Sequence, residues 1–390
     1  MRRRHVIACL VSLAALLMPA AAATQSAANE LAAKLTPAQR QIYDDYRRAR
    51  DAFEARLRLY WQRVDAKRDA RRAKHMLAQA VSADDYVTEQ PPRYAGPELP
   101  GEIAKIVTEL APPAPTRPLP EVADFLAQAK AQYGFVPTPT TELDFKRRYA
   151  REALAVGLSK DQVVRIYALE TGGQGTYDMQ AGINPLTKQG RPISSALGYA
   201  QLLNGNSVSE LVKHGSTFTQ RLMRLAAQPA TPPARAAALK EKATIVRRML
   251  RAARSVPDEW SAHVRFGGTP SGLGIHALNL DADVGPWLQV LKLKGLQEAA
   301  AAAGRTPLAG AEIELMNLAG PRTGLEMMTP LGRTMPTSNF FSEGGYYRNT
   351  IVREKTAAEL LAALEQRMEV NVKRPGAVEF AQAFDEVARR

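Results

Sequence analysis

The sequence predicts a mainly helical fold. Apolar side chains recur at three- and four-residue spacing in one segment after another. Strict apolar–polar alternation, the mark of a strand, is scarce. Helix start signals precede several of the periodic segments, with Thr36 ahead of Pro37 and Ser159 ahead of Lys160. No repeat of solenoid period appears.

The elements follow in chain order. Arg2, Arg3 and Arg4 precede an apolar stretch, Val6 to Met18, which is followed by Pro19 and the small residues Ala20 to Ala23. A charged start, a short apolar run and small residues at its end read as a signal peptide over residues 1–23, cleaved before Thr24. The alternative is a retained anchor, since Val6 to Ala23 reaches the lower limit of a membrane span. Either reading places the chain in the periplasm or cell envelope. Cys9 is the only cysteine, so an exported chain has no disulfide and needs a sufficient apolar core.

From Pro37 to about Ala80 no Pro or Gly interrupts, and Tyr43, Phe53, Leu57, Tyr60, Trp61 and Val64 form an apolar stripe. This is one long helix or two stacked ones. Its basic cluster, Lys67 to Lys74, is a solvated face or a contact for an acidic surface. Residues 91–120 are Pro-rich and read as a linker or an extended wrapping arm, with one short helix from Glu102 to Leu110. Residues 24–90 then form an N-terminal helical region, and 121–390 the main domain.

In that domain helical patterns cover Leu119 to Tyr133, Thr141 to Val156, Lys160 to Glu170, Ser207 to Lys213, Thr217 to Ala227, Pro233 to Arg254, Gly285 to Ala303, Ala309 to Met316 and Thr356 to Met368. Val264 to Leu280 is Gly-rich and has room for a short hairpin.

The net charge of +13 falls to +10 without Arg2, Arg3 and Arg4. A basic exported protein is drawn to anionic polymers: cell-wall glycan, lipid head groups or extracellular DNA. The five histidines form no spaced ligand cluster and have no cysteine partner, so no metal or other cofactor is expected. Gly267-Gly268 and Gly272-x-Gly274 lack the strand-then-helix context of a phosphate loop.

Glu170 is the candidate for chemistry. It ends the apolar run Val163 to Leu169 and is followed by Thr171-Gly172-Gly173. A carboxylic acid delivers a proton to a weakly basic oxygen at neutral pH only if its pKa is raised. Apolar neighbours raise it, and so does the partial negative charge of a helix C-terminus. A helix that merely ends in Glu with a Gly cap is the plain alternative. Downstream, Ser195 to Leu203 carries Gly198, Tyr199 and Gln201, and a Gln in such a run holds a sugar hydroxyl or satisfies a backbone group.

Glu170-Thr171 resembles the catalytic Glu-Ser of soluble lytic transglycosylases and goose-type lysozymes. Ser195-Ala-Leu-Gly-Tyr-Ala-Gln-Leu-Leu203 resembles their Gly-Ala-x-Gly-Leu-Met-Gln-Leu-Met segment. Asp281 to Leu291, Leu315-Met-Asn-Leu-Ala-Gly-Pro321 and Glu343 to Val352 are similar, in the same order, to later motifs of that family. The resemblance spans Leu154 to Leu361. It implies a lysozyme-like helical domain with an N-terminal helical extension, and a peptidoglycan lytic transglycosylase that cuts the β-1,4 bond between N-acetylmuramic acid and N-acetylglucosamine. Glu170 would be the single catalytic carboxyl and the products would be 1,6-anhydro sugars. Gly198, Tyr199, Gln201, Asn317 and Tyr347 would line the substrate site. Partners would be peptidoglycan strands and an envelope protein complex, with no nucleic acid and at most peripheral membrane contact.

Three departures bear on this. Thr171 stands for Ser, Met316 for a Tyr, and Ser216 to Ile275 is inserted, as decoration or as a lobe lining the groove. The other readings are a non-catalytic glycan-binding scaffold and a hydrolytic muramidase. The latter needs a second carboxylate, for which Asp178 is the candidate and Glu343 the next.

Overall fold

The computed structural model describes residues 30–31, 33–110 and 118–389. The expected signal peptide lies outside them. The described residues are mainly helical, with isolated β-bridges and no strand. No helix among them is long and apolar enough to cross a membrane. The chain divides into two compact units, Met1–Arg117 and Pro118–Arg390.

The first unit is built on α1 (Pro37–Met76), a single helix of 40 residues. Thr36 caps it as the sequence predicts, accepting from the Gln39 amide at 3.3 Å while the Gln39 side chain accepts from Thr36 N at 3.0 Å. The basic cluster is not simply a solvated face. Arg71 is buried, stacks on the Tyr86 ring and donates to Asp85 O at 2.8 Å. Lys67 donates to the carbonyls of Asp84 and Tyr86, each at 2.6 Å. These cations hold the segment after α1 against it. Tyr60 hydroxyl to Glu89 O (2.9 Å) and the edge-on Phe53–Tyr94 contact continue the attachment, and Pro91 is buried. The start of the Pro-rich stretch is therefore an arm packed on α1. A short helix, α2 (Gly101–Leu110), follows.

The second unit holds α3 (Val122–Tyr133), α4 (Glu142–Ala155), α5 (Lys160–Glu170), α6 (Asn204–Ala226), α7 (Pro233–Ala253), α8 (Trp260–Gly267), α9 (Pro270–His276), α10 (Gly285–Ala302), α11 (Gly310–Ala319), α12 (Pro321–Met327), α13 (Glu343–Arg348), α14 (Ala357–Asn371) and α15 (Pro375–Ala388). Two expectations change here. The two patterns expected over Ser207 to Ala227 are one continuous helix, α6, ending at Ala226. Gly215 sits inside it because α7 passes so close that a Cβ there would lie 2.9 Å from Leu250 Cδ1. The expected hairpin at Val264 to Leu280 is α8, α9 and a 3₁₀ turn.

The inserted stretch is part of the core. Phe218, Leu222, Leu239, Val246 and Met249 are buried with Leu278, Trp287 and Leu288 in one apolar cluster. Lys242 of α7 is fixed there by charge. Its Nζ lies 2.7 Å from Asp281, 2.6 Å from Asp283 and 2.7 Å from Thr138 Oγ1. Burial raises the Asp283 pKa, but Lys242 and Arg235 outweigh it and hold the carboxyl below its ordinary value. A second nucleus is aromatic. Tyr149, Tyr167 and Tyr199 surround Phe380 of α15, a helix the periodicity did not single out.

Candidate functional site

α5 carries Glu170 to its place. Ser159 caps the helix, accepting from Gln162 N at 3.2 Å, and Val163, Ile166 and Tyr167 bury its inner face. Gly172 and Gly173 both have positive φ and turn the chain out of the helix. The Gly173 backbone does approach a neighbour closely, but that neighbour is internal. A Cβ there would meet Asn371 O at 2.2 Å, and Asn371 donates to Ala168 O at 3.0 Å. The end of α5 is thus clamped by the junction of α14 and α15. Thr171 is spent locally: its hydroxyl donates to Tyr167 O at 2.7 Å.

Glu170 is half-buried, and Asn317 of α11 donates to its Oε1 at 3.2 Å. Glu314, one turn before Asn317 on α11, shares that amide with Glu170: Asn317 Nδ2 also stands 3.5 Å from Glu314 Oε2. Burial pushes the Glu170 carboxyl up to about 7, against the pull of the hydrogen bonds from Glu314 and Asn317. Burial and the adjacent Glu170 charge push Glu314 well above the usual carboxylate range. Two carboxyls side by side in a dry setting cannot both ionise cheaply.

Glu314 was not a candidate from sequence. In Glu312-Ile313-Glu314 it reads as an ordinary helical glutamate. The one available signal was its position three residues before Asn317, which puts both on one helix face. Met316, where a sugar-stacking Tyr was expected, is fully buried, so position 316 faces the core and not a substrate.

The Ser195–Leu203 segment is a tight turn closed by a Leu197↔Leu202 bridge. Gly198 has φ +78°, and a Cβ there would lie 2.5 Å from Gln289 Nε2; the same Gln289 accepts from Ala200 N at 3.0 Å. This ties the second motif-like segment to α10. His276 supports it from below. Its Nε2 donates to the carbonyl of Ser195 (2.7 Å), which leaves Nδ1 to accept from Ser207 Oγ (2.8 Å). Burial lowers its pKa to about 4, so it stays neutral.

Several expected substrate contacts are internal instead. Tyr199 is 1% exposed, and its hydroxyl donates to Glu142 inside the aromatic nucleus. Gln201 donates to Gly198 O at 2.7 Å and Met179 O at 3.3 Å, the backbone-satisfying alternative. Asp178 accepts from Thr176 (2.5 Å) and pairs with Lys188 (3.2 Å), and Glu343 is exposed at the start of α13. Tyr347 stands edge-on to Tyr346, partly exposed. Of the sequence candidates, Asn317 is the one hydrogen-bonded to Glu170.

No family model, no curated protein and no solved structure matches this chain.

Proposed function

We propose that the protein is a peptidoglycan lytic transglycosylase with Glu170 as its acid. The observation that carries the reading is the Glu170–Asn317 hydrogen bond, 3.2 Å long, between residues 147 apart in sequence. It joins the first and third motif-like segments, and burial brings the carboxyl to about 7, where it can both give and take a proton at neutral pH.

In this mechanism Glu170 protonates the glycosidic oxygen as the bond to the muramyl anomeric carbon breaks. The substrate's N-acetyl group stabilises the cationic centre. The Glu170 carboxylate then removes the proton of the muramyl 6-hydroxyl, whose oxygen closes the 1,6-anhydro ring. No water enters, and no second substrate-facing carboxylate is needed. Asp178, the candidate for a water-activating carboxylate, is engaged by Thr176 and Lys188. The outer face of α7 bears Lys240, Arg247 and Arg251, all exposed and none in an ion pair among the described residues. Such a face suits a polymer carrying peptide carboxylates.

The test is digestion of isolated peptidoglycan by the wild-type protein and its Glu170→Gln variant, read by mass spectrometry. Products one water lighter than the hydrolytic ones, from the wild type alone, are expected. Reducing-end products would make it a hydrolase. Wall binding by both proteins without any product would make it a scaffold.

A further inference from the structure

The proposed reaction assigns work to one carboxyl, yet the structure places a second, buried one beside it. Glu314 is 1% exposed and faces the end of α5 from α11. Three groups act on it: Glu170 from α5, Asn317 one turn ahead, and Lys292 of α10, which also feels Glu210 and Lys213 of α6. Lys292 makes no ion pair with Glu314 among the described residues and is itself held below its usual range, first by burial. Glu314 Oε1 is buried and has no donor among the described residues. An ionised Glu314 would therefore leave an unpaired charge out of water, the arrangement proteins avoid. A protonated Glu314 has an acceptor close by, the Glu170 carboxyl on the other side of the Asn317 amide that both share.

We infer that Glu314 is a positioning residue: a carboxylic acid that stays neutral and donates its O–H to Glu170. The assignment rests on the proposed reaction for its consequence but not for its chemistry. Together with Asn317 it gives the Glu170 carboxyl two donors, which fixes its rotation and stabilises the carboxylate left after proton delivery. When Glu170 gives its proton to the glycosidic oxygen, Glu314 keeps its own. When Glu170 takes the 6-hydroxyl proton, the pair returns to its starting state. Glu314 exchanges nothing with substrate, which it cannot reach.

Two variants separate this role from simple filling of space. Glu314→Gln is nearly isosteric and keeps an N–H donor; Glu314→Ala keeps none. On peptidoglycan, Glu314→Gln should retain kcat within a few-fold of wild type. Glu314→Ala should lose about 10- to 100-fold in kcat with KM unchanged, the usual range for a hydrogen bond to a charged group. Its basic limb in the pH–rate profile should move to higher pH, because a bond that lowers the Glu170 pKa is gone. Equal kcat and equal limbs for the two variants would overturn the assignment.

A second measurement needs no turnover. Carbon-13 NMR of the glutamate carboxyls in the substrate-free full chain should show Glu314 neutral at pH 7 and two linked titrations. Glu170→Gln and Glu314→Gln should each leave a single unlinked one. An ionised Glu314 at pH 7 would refute the inference. Linked titration without any cleavage of wall would leave the inference standing and remove the proposed reaction instead.

Discussion

Replacing Glu170 with glutamine should stabilise the protein at alkaline pH, whatever reaction the site performs. The Glu170 carboxyl titrates at about 7 in the folded chain, against 4.5 for an ordinary glutamate. Its folded pKa is raised, so the folded state holds the proton more tightly than the unfolded state does. Below pH 4.5 both states are protonated and nothing is lost. Between 4.5 and 7 the unfolded state ionises first, and stability falls as pH rises; above 7 the loss is complete. The full displacement is worth about 3 kcal/mol. Glu170 is only half-buried, so solvent screening reduces this to about 1–2 kcal/mol. Urea unfolding of the full chain, wild type and Glu170→Gln, at pH 4 and pH 8 reads the difference directly. Glutamine should be close to neutral at pH 4 and stabilising by about 1–2 kcal/mol at pH 8, with Glu314 present in both proteins. A difference between the two proteins that is the same at both pH values would refute the reasoning, because it would mean that folding does not strain the carboxyl.

Other substitutions test other parts of the description. Lys242→Met leaves Asp281 and Asp283 without their shared buried cation, and urea unfolding should show a loss of about 3–5 kcal/mol. Gly198→Ala combines a φ of +78° with a Cβ 2.5 Å from Gln289 Nε2; it should cost about 1–3 kcal/mol by the same measurement and loosen the turn against α10. Asn317→Ala removes a donor from Glu170, so its carboxyl should titrate higher, and wall cleavage should fall about tenfold or more, read from the pH–rate profile. Tyr199→Phe should leave KM for peptidoglycan unchanged while lowering the unfolding midpoint, since its hydroxyl serves Glu142 and not a sugar.

Local signals were legible and long-range ones were not. Thr36 and Ser159 announced their helices because a cap is chemistry within four residues. Glu170 stood out because a helix end and a Gly-Gly exit lie beside it in the chain. Glu314 did not, because its burial depends on α11 meeting the end of α5, a contact 144 residues long in sequence. The same limit explains Tyr199 and Gln201. Their residue types suit a sugar, but the turn they occupy folds the ring inward and gives the amide to carbonyls. Nothing local marks Lys242, because its partners Asp281 and Asp283 lie about 40 residues downstream. Met316 looked like the loss of a ring. Its full burial shows that the position has no groove to face.

The clamp on the end of α5 has a consequence in time. Asn371 ties down the carbonyl of Ala168, and Phe380 closes the aromatic nucleus against Tyr167. Both lie later in the chain than Glu170, Glu314 and Asn317. A growing polypeptide that contains these three residues but not yet Asn371 and Phe380 lacks the surface that fixes where α5 stops. The end of α5, and Glu170 with it, is therefore fixed only once residues 371–380 have been added.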